Sequence, residues 1–179
     1  MKEKIPRGKK VYLRRLKPED LAEFTTKSRA SRKFHKNLVS PPLERRGFEE
    51  YLERNESEAS ECFLICRISD DAIAGTINLS QIFRGVFQNA YLGYLLFEKF
   101  TGSGLMTEAV ELILKFAFKT LNLHRVEANV QPENIASIAV LRRANFTQEG
   151  FSPKYLKIGG RWRDHERWAI IVEDWRKEK

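Results

Sequence analysis

The clearest change of pattern along the chain falls between residues 90 and 121. Residues 90–97 are almost continuously apolar and aromatic, as a buried strand requires. From about residue 103 to residue 121 the apolar positions follow a helical period instead. Leu105, Met106, Ala109, Val110, Leu112, Ile113, Phe116 and Ala117 cover most of that surface. Glu108, Glu111, Lys115 and Lys119, three and four residues apart, form the polar stripe. A helix apolar over so much of its circumference packs deeply, here against a sheet. The junction carries Gly102 and Gly104, which let the backbone turn tightly and let a ligand approach. Ser103 and the first helical residues then present unpaired N–H groups at the positive end of a helix dipole, a place for phosphate. An ordinary strand-to-helix turn would carry the same glycines.

The rest of the chain reads around this junction. Residues 11–16 form a strand, and Pro18 starts a helix with Leu21 and Phe24 on its apolar face. Residues 27–36, with Lys27, Arg29, Arg32, Lys33 and Lys36, are either a solvated basic helix end or the rim of a binding site, broken by Pro41-Pro42. Residues 43–57 form a second helix with Phe48, Tyr51 and Leu52 as its stripe. Residues 61–69 and 73–82 flank Asp70-Asp71 as a hairpin, and a loop over 84–89 precedes the buried strand. Residues 124–130 alternate, which gives a strand–helix–strand unit and a parallel pair through a right-handed crossover. Gln131-Pro132 ends that strand, residues 133–144 form a helix, and Asn145 suits its C-terminal end. Residues 146–158 and 161–172 flank Gly159-Gly160 as a second hairpin. The sum is an α/β (α+β) fold, a mixed sheet of about seven strands with helices on both faces.

Composition changes this picture little. A chain of 179 residues, 42% hydrophobic, is the size of one domain with a real core, taken as residues 1–179. Charge adds more. The net charge of +8 favours acidic partners such as polyphosphate cofactors, RNA or ribosomal surfaces, though solubility alone accounts for it equally well. Residues 1–10 are charged and expected to be loose, and no apolar stretch follows that would make a signal peptide or span a bilayer. Cys62 and Cys66 share one strand and one face, roughly 13 Å apart at ~3.3 Å per residue, too far for a disulfide. No Cys/His pair completes a zinc site, so no metal is expected. Both cysteines read as buried thiols of a cytoplasmic protein with no membrane partner.

Lys99-Phe100-Thr101-Gly102-Ser103-Gly104 follows the pattern Gln or Arg, two residues, Gly, one residue, Gly or Ala, with Lys99 in the first place. A strand precedes it and a long helix follows, and His124 to Val130 and Pro132-Glu133-Asn134-Ile135-Ala136-Ser137 come after. In these residues the chain resembles the GNAT superfamily of acyl-CoA-dependent N-acyltransferases. The Asn-x-x-Ser pattern is similar to that of the ribosomal-protein-alanine N-acetyltransferase branch. So are Arg84-Gly85 with Phe87, Tyr91-Leu92-Gly93-Tyr94, Gly104-Leu105-Met106 with Glu108-Ala109, and the segment from Tyr155 to His165. The resemblance covers roughly residues 73–168. Residues 34–42 resemble the family's aromatic acceptor-side loop, with Leu38 where a Trp is usual.

The resemblance implies a GNAT-like, mostly antiparallel twisted sheet whose parallel pair splays at the acyl-CoA site. It implies acetyl transfer from acetyl-CoA to a primary amine by direct attack in a ternary complex. Backbone groups of Leu95, Leu96 and Phe97 would pair with the pantetheine arm. N–H groups of Phe100, Thr101, Gly102, Ser103, Gly104 and Leu105, with Met106 beside them, would cradle the pyrophosphate, and Lys99 would add charge. Asn134 would hydrogen-bond the cofactor arm. Ser137 would protonate the leaving thiolate, directly or through water. Without the motif, Asn134 is a helix cap and Ser137 a helix-face hydroxyl. Phe34, Asn78, Tyr91 and Asp164 are the acceptor-side candidates. A Glu often stands where this chain has Tyr91, so no base is evident; Asp164, His165 and Glu133 are candidates. A free α-amine has a pKa of roughly 7.7–8.0 and a lysine one near 10.4, so an α-amine needs weaker help. The expected acceptor is therefore a protein N terminus, and the resemblance points to a ribosomal protein as its bearer. Small-amine acetylation, of polyamines or aminoglycosides, and a CoA-binding ribosome- or RNA-associated factor without turnover are the alternatives. Monomer and homodimer are both open.

Overall fold

The apolar–polar alternation places seven strands in one sheet, seen in a computed structural model that describes residues 5, 7–38, 41–54 and 57–177. Strand β1 (Val11–Arg14) is followed by helices α1 (Leu21–Ala30) and α2 (Arg45–Glu53), then β2 (Ser60–Arg67), β3 (Ile73–Phe83) and β4 (Asn89–Leu96). Helix α3 (Leu105–Lys119) crosses to β5 (Arg125–Val130), and α4 (Ile135–Arg143) leads to the hairpin β6 (Thr147–Ile158) and β7 (Arg161–Ile171), closed by α5 (Val172–Lys177). The strand order is β1-β2-β3-β4-β5-β7-β6, antiparallel throughout except for β4 and β5. Parts of three sequence-based readings, the loose residues 1–10, the loop over 34–42 and the helix over 43–57, lie outside the described residues at positions 1–4, 6, 39–40 and 55–56.

Side-chain parity along the strands separates the two faces. Val126, Ala128 and Val130 of β5 and Phe63 of β2 face α3, where the Phe63 and Phe116 rings meet edge-on at 5.2 Å. Ten of the fifteen residues of α3 are buried, while Glu111, Lys115 and Lys119 remain on its outer stripe, as the periodicity predicts. The opposite face carries α1 and α2. There Phe24 packs on Phe48 at 5.3 Å and on Phe97 at 5.5 Å, and the Tyr51 hydroxyl donates to Thr76 Oγ1 at 3.5 Å. Thr76 stands opposite Leu95, so Thr76, Asn78, Leu95, Gly93, Tyr91 and Glu127 share this face. Both cysteines are buried as thiols, and burial pushes the Cys62 thiol up to about 11.

The start of α3 and the end of the chain depart from the sequence pattern. Helix α3 begins at Leu105 rather than Ser103, because Gly102 and Gly104 stand at φ 74° and 78°, outside the helical region. The chain also adds α5 after β7. Six residues are too short for a periodic signal; this helix is held by Trp175, whose ring lies 5.3 Å from Phe118. No helix of the described residues is long and apolar enough to cross a membrane.

Candidate active site

The site begins where the parallel pair ends. β4 and β5 are in register only at Asn89–Arg125, Ala90–Val126 and Tyr91–Glu127. Beyond this, β4 keeps β3 as partner up to Leu96 and β5 keeps β7 up to Val130, so the facing edges part and leave a wedge. The Phe97 N–H donates to Ala74 C=O at 2.9 Å, and the Phe97 C=O accepts from Phe100 N–H at 2.9 Å. Ladder alternation then turns Leu95 toward β3 and leaves Tyr94 and Leu96 facing the wedge. Of the three residues expected to pair with a pantetheine arm, only Leu96 turns its N–H toward the wedge, with Tyr94 two residues before it; Leu95 and Phe97 turn theirs toward β3.

A turn over residues 31–38 straps the mouth of the wedge. At one end Ser31 Oγ accepts from Glu98 N–H at 2.9 Å; at the other, Gln131 Nε2 donates to Asn37 C=O at 3.0 Å. His35 within it is buried; burial holds its pKa below the usual value, against the pull of the Leu96 carbonyl and Glu98. Phe34 packs edge-on against His35 and stays 44% exposed, so its ring is free for a ligand. Arg32, Lys33 and Lys36 are exposed along the strap, whereas Lys27 donates to Ile73 C=O at 2.9 Å and Arg29 Nε to Leu43 C=O at 2.9 Å. The basic segment is thus part scaffold and part rim.

The glycine turn lies at the wide end. Thr101 Oγ1 donates to Glu98 C=O at 2.9 Å and Ser103 Oγ to Phe100 C=O at 3.0 Å, which fixes the loop. Gly104 caps α3 without a side-chain partner for the first-turn N–H groups, so these remain as donors. A Cβ on Gly102 would meet nothing within 4 Å: the loop faces open space. Lys99 is exposed beside it. The side chains of Phe97, Phe100, Leu105 and Met106 are all buried in the core, Phe100 beneath Lys27 and Arg67, so only their backbone can touch a ligand.

Helix α4 forms the second wall. Asn134 is its N-cap, with Oδ1 accepting from Ser137 N–H at 3.2 Å. Among the described residues its amide nitrogen donates to no partner. Tyr94, half-buried at the wedge, donates its hydroxyl to Ser137 C=O at 3.3 Å. Burial raises the Tyr94 phenol well above its ordinary pKa and keeps it protonated. The contact ties Ser137 to the strand edge.

On the α1/α2 face, at the closed end of the wedge, Glu127 stands opposite Tyr91. Its carboxylate, 17% exposed, accepts from Arg125 Nε at 2.7 Å, and Arg125 also binds Glu149. Burial first, then the Glu127 charge and the Tyr155 hydroxyl, raise the Tyr91 phenol. The Tyr155 ring lies 6.2 Å from that of His165, which is buried and whose Nδ1 is 3.0 Å from Arg163 C=O. Asn78 lies over Gly93, its Oδ1 3.0 Å from where a Cβ would stand. Asp164 is elsewhere: its Oδ1 accepts from Lys154 N–H at 2.7 Å, inside the β6–β7 bulge. Glu133 is exposed ahead of α4. The geometry therefore gathers Asn78, Tyr91, Tyr155 and Glu127, and leaves Asp164 as a hairpin brace. The sequence pattern marks neither the Glu127 carboxylate nor the Tyr94 hydroxyl as a group of this site. The alternation over 124–130 put Glu127 on the polar face, but only the β4–β5 register makes it the neighbour of Tyr91. Among the described residues no group of three His, Cys, Asp or Glu is arranged to hold a metal ion.

Residues 10–147 match the family model for an acetyltransferase (GNAT) domain. The chain is 39% identical to the Bacillus subtilis protein named "Probable N-acetyltransferase YjcK", across 94% of this chain and 97% of that one. It is 41% identical over 103 residues to the Escherichia coli [ribosomal protein uS5]-alanine N-acetyltransferase, across 58% of this chain and 53% of that protein. Mycobacterium smegmatis RimJ, solved in complex with CoA-disulfide, superimposes with a TM-score of 0.84 at 28% identity, covering 92% of this chain and 83% of that one. More distant likenesses include spermidine acetyltransferases.

Proposed function

This chain belongs to the GNAT family of acetyl-CoA-dependent N-acetyltransferases, and we propose that its acceptor is the α-amine of a protein N terminus, with a ribosomal protein as the partner class. The observation that carries this reading is the 41% identity to the uS5-alanine enzyme. The rim supports it. Arg32, Lys33 and Lys36 stand exposed on the strap, where a polycation such as spermidine would meet repulsion.

Acetyl-CoA supplies the thioester carbonyl; the chain supplies position and proton handling. The open edge at Tyr94 and Leu96, the Asn134 amide and the N–H groups of the glycine turn hold the donor. The acceptor amine enters past Phe34 from the α1/α2 face and approaches Tyr91 and Glu127. Glu127 takes the proton of the α-ammonium through water, since a group of pKa roughly 7.7–8.0 needs only a weak base. As the amine nitrogen bonds to the carbonyl carbon and the C–S bond breaks, the nitrogen gives up its surplus proton, and Ser137 or a water it orients relays that proton to the departing sulfur, so that the hydroxyl ends as it began.

The test is a set of kcat/KM values with acetyl-CoA for peptides beginning in Ala, Ser or Met, for an N-blocked Lys peptide, and for spermidine. The proposal expects at least one free-N-terminal peptide to exceed both other acceptors by about tenfold or more, a difference that one or two positioned contacts supply. Turnover confined to spermidine or to the blocked peptide would overturn it.

A further inference from the structure

Strand β7 sorts its charges by face. From Arg161 to Arg167 the chain reads Arg, Trp, Arg, Asp, His, Glu, Arg, and successive side chains of a strand point to opposite faces. Both bulges of the β6–β7 hairpin add their extra residues to β6, so the alternation of β7 runs unbroken. Ala169 stands opposite Glu127, and Arg167 opposite Asn129. Arg161, Arg163, His165 and Arg167 therefore share the face of Glu127 and Tyr91, and the Tyr155 ring beside His165 agrees. Asp164 and Glu166 fall on the other face, where they accept from Lys154 N–H at 2.7 Å and from Trp168 Nε1 at 2.9 Å. A row of bases with no acid of β7 among them thus runs from the hairpin tip toward the place where the amine reacts. We propose, resting on the α-amine reading, that this row is a track for the acceptor chain beyond its first residue, and that it selects acceptors carrying Asp or Glu at those following positions.

Arg161 and Arg163 are its principal cations. Among the described residues no carboxylate forms an ion pair with either. Arg161 is exposed, and the buried Arg163 Nε donates to no group, so an incoming carboxylate would offset its lost hydration. Arg167 lies over Gly150, with its guanidinium where a Cβ would stand. Its charge is partly matched by Glu149, whose carboxyl Arg125 and, more weakly, Arg167 hold below the usual range. The strap supplies the opposite bank. The bond from Gln131 to Asn37 brings Lys36 next to the end of β5, and Arg32 and Lys33 are exposed further along, also without an ion pair among the described residues. Tyr155 and Leu156 of β6, each 37% exposed, offer apolar surface beside the row. Cations on both banks of one approach repel a basic acceptor and draw an acidic one. Phosphate would be drawn as well, but the row ends at Tyr91 and Glu127, where an amine has to be delivered, and this favours a peptide over RNA.

The test compares kcat/KM for three peptides with the same free N-terminal alanine, whose next positions carry Glu, Gln or Lys, and for spermidine. The wild type should favour the Glu peptide over the Gln peptide by about tenfold, mostly through KM, because rim ion pairs are individually weak and only several together reach that size. The Lys peptide should fall below both. Raising the salt from ~50 to ~500 mM should remove most of the preference. Replacing both arginines, Arg161→Glu with Arg163→Glu, should turn the preference toward the Lys peptide, while CoA affinity by calorimetry stays within about twofold of wild type and so shows an intact fold. Equal kcat/KM for the Glu and Gln peptides in the wild type would overturn the proposal and leave the α-amine reading standing. So would a preference that salt does not weaken. A single-stranded RNA of matched charge that inhibits while Glu and Gln peptides react alike would reassign the row to nucleic acid. Turnover of spermidine with no peptide acetylated would overturn the track and the α-amine reading together.

Discussion

Gly104→Val is expected to lower CoA affinity by about a hundredfold or more while the sheet and its core persist. Two costs combine. Gly104 stands at φ 78°, a conformation that costs an L-residue roughly 1–2 kcal/mol and a β-branched one more, and the strain falls on the first turn of α3, whose N–H groups form the cradle. The new side chain would also project toward Lys10 Nζ, 3.5 Å from the Cβ, on the side where phosphate must lie. Displacing two or three N–H donors from a bound phosphate accounts for about two orders of magnitude. Gly104→Ala, which pays the strain with less bulk, should fall between wild type and valine. Calorimetry with a parallel melting curve decides the matter. A valine variant that melts normally and binds CoA within about threefold of wild type would remove the glycine turn from the donor site.

Glu127→Gln should lower kcat for an α-amine acceptor by about 10–100-fold at neutral pH, the lower range for a positioned proton acceptor. The loss should shrink as pH rises past the α-amine pKa of roughly 7.7–8.0, because the acceptor then arrives already deprotonated. CoA affinity should not move, since Glu127 lies on the α1/α2 face, away from the glycine turn. A deficit of the same size at every pH, with a lowered melting temperature, would make Glu127 a structural partner of Arg125 instead.

Those two residues mark what was legible in the sequence. The glycine turn was legible because its signal is local: an apolar strand, two glycines and an amphipathic helix lie next to one another, and the exposed stripe of α3 follows the period of 3.6. The hairpins were legible for the same reason. Glu127 depends on which residue of β4 lies beside which residue of β5, across a helix and about 36 positions of chain. The strap shows the same limit. Lys27 to Lys36 reads as a basic run, but the division between Lys27 and Arg29 as braces and Arg32, Lys33 and Lys36 as rim rests on carbonyls distant in sequence. Asp164 stands in a segment that resembles the family, yet the β6 bulge that gives its carboxylate the Lys154 N–H has no marker in composition.

The central claim is that this acetyltransferase acts on the α-amine of a protein chain. The most direct measurement uses one peptide carrying a free N-terminal alanine and an internal lysine, incubated with acetyl-CoA and an equal concentration of spermidine. Tandem mass spectrometry then locates the acetyl group. Acetyl is expected on the α-nitrogen, with lysine and spermidine unmodified at early times. Acetyl on spermidine or on the lysine ε-nitrogen, with the N terminus left free, would contradict it.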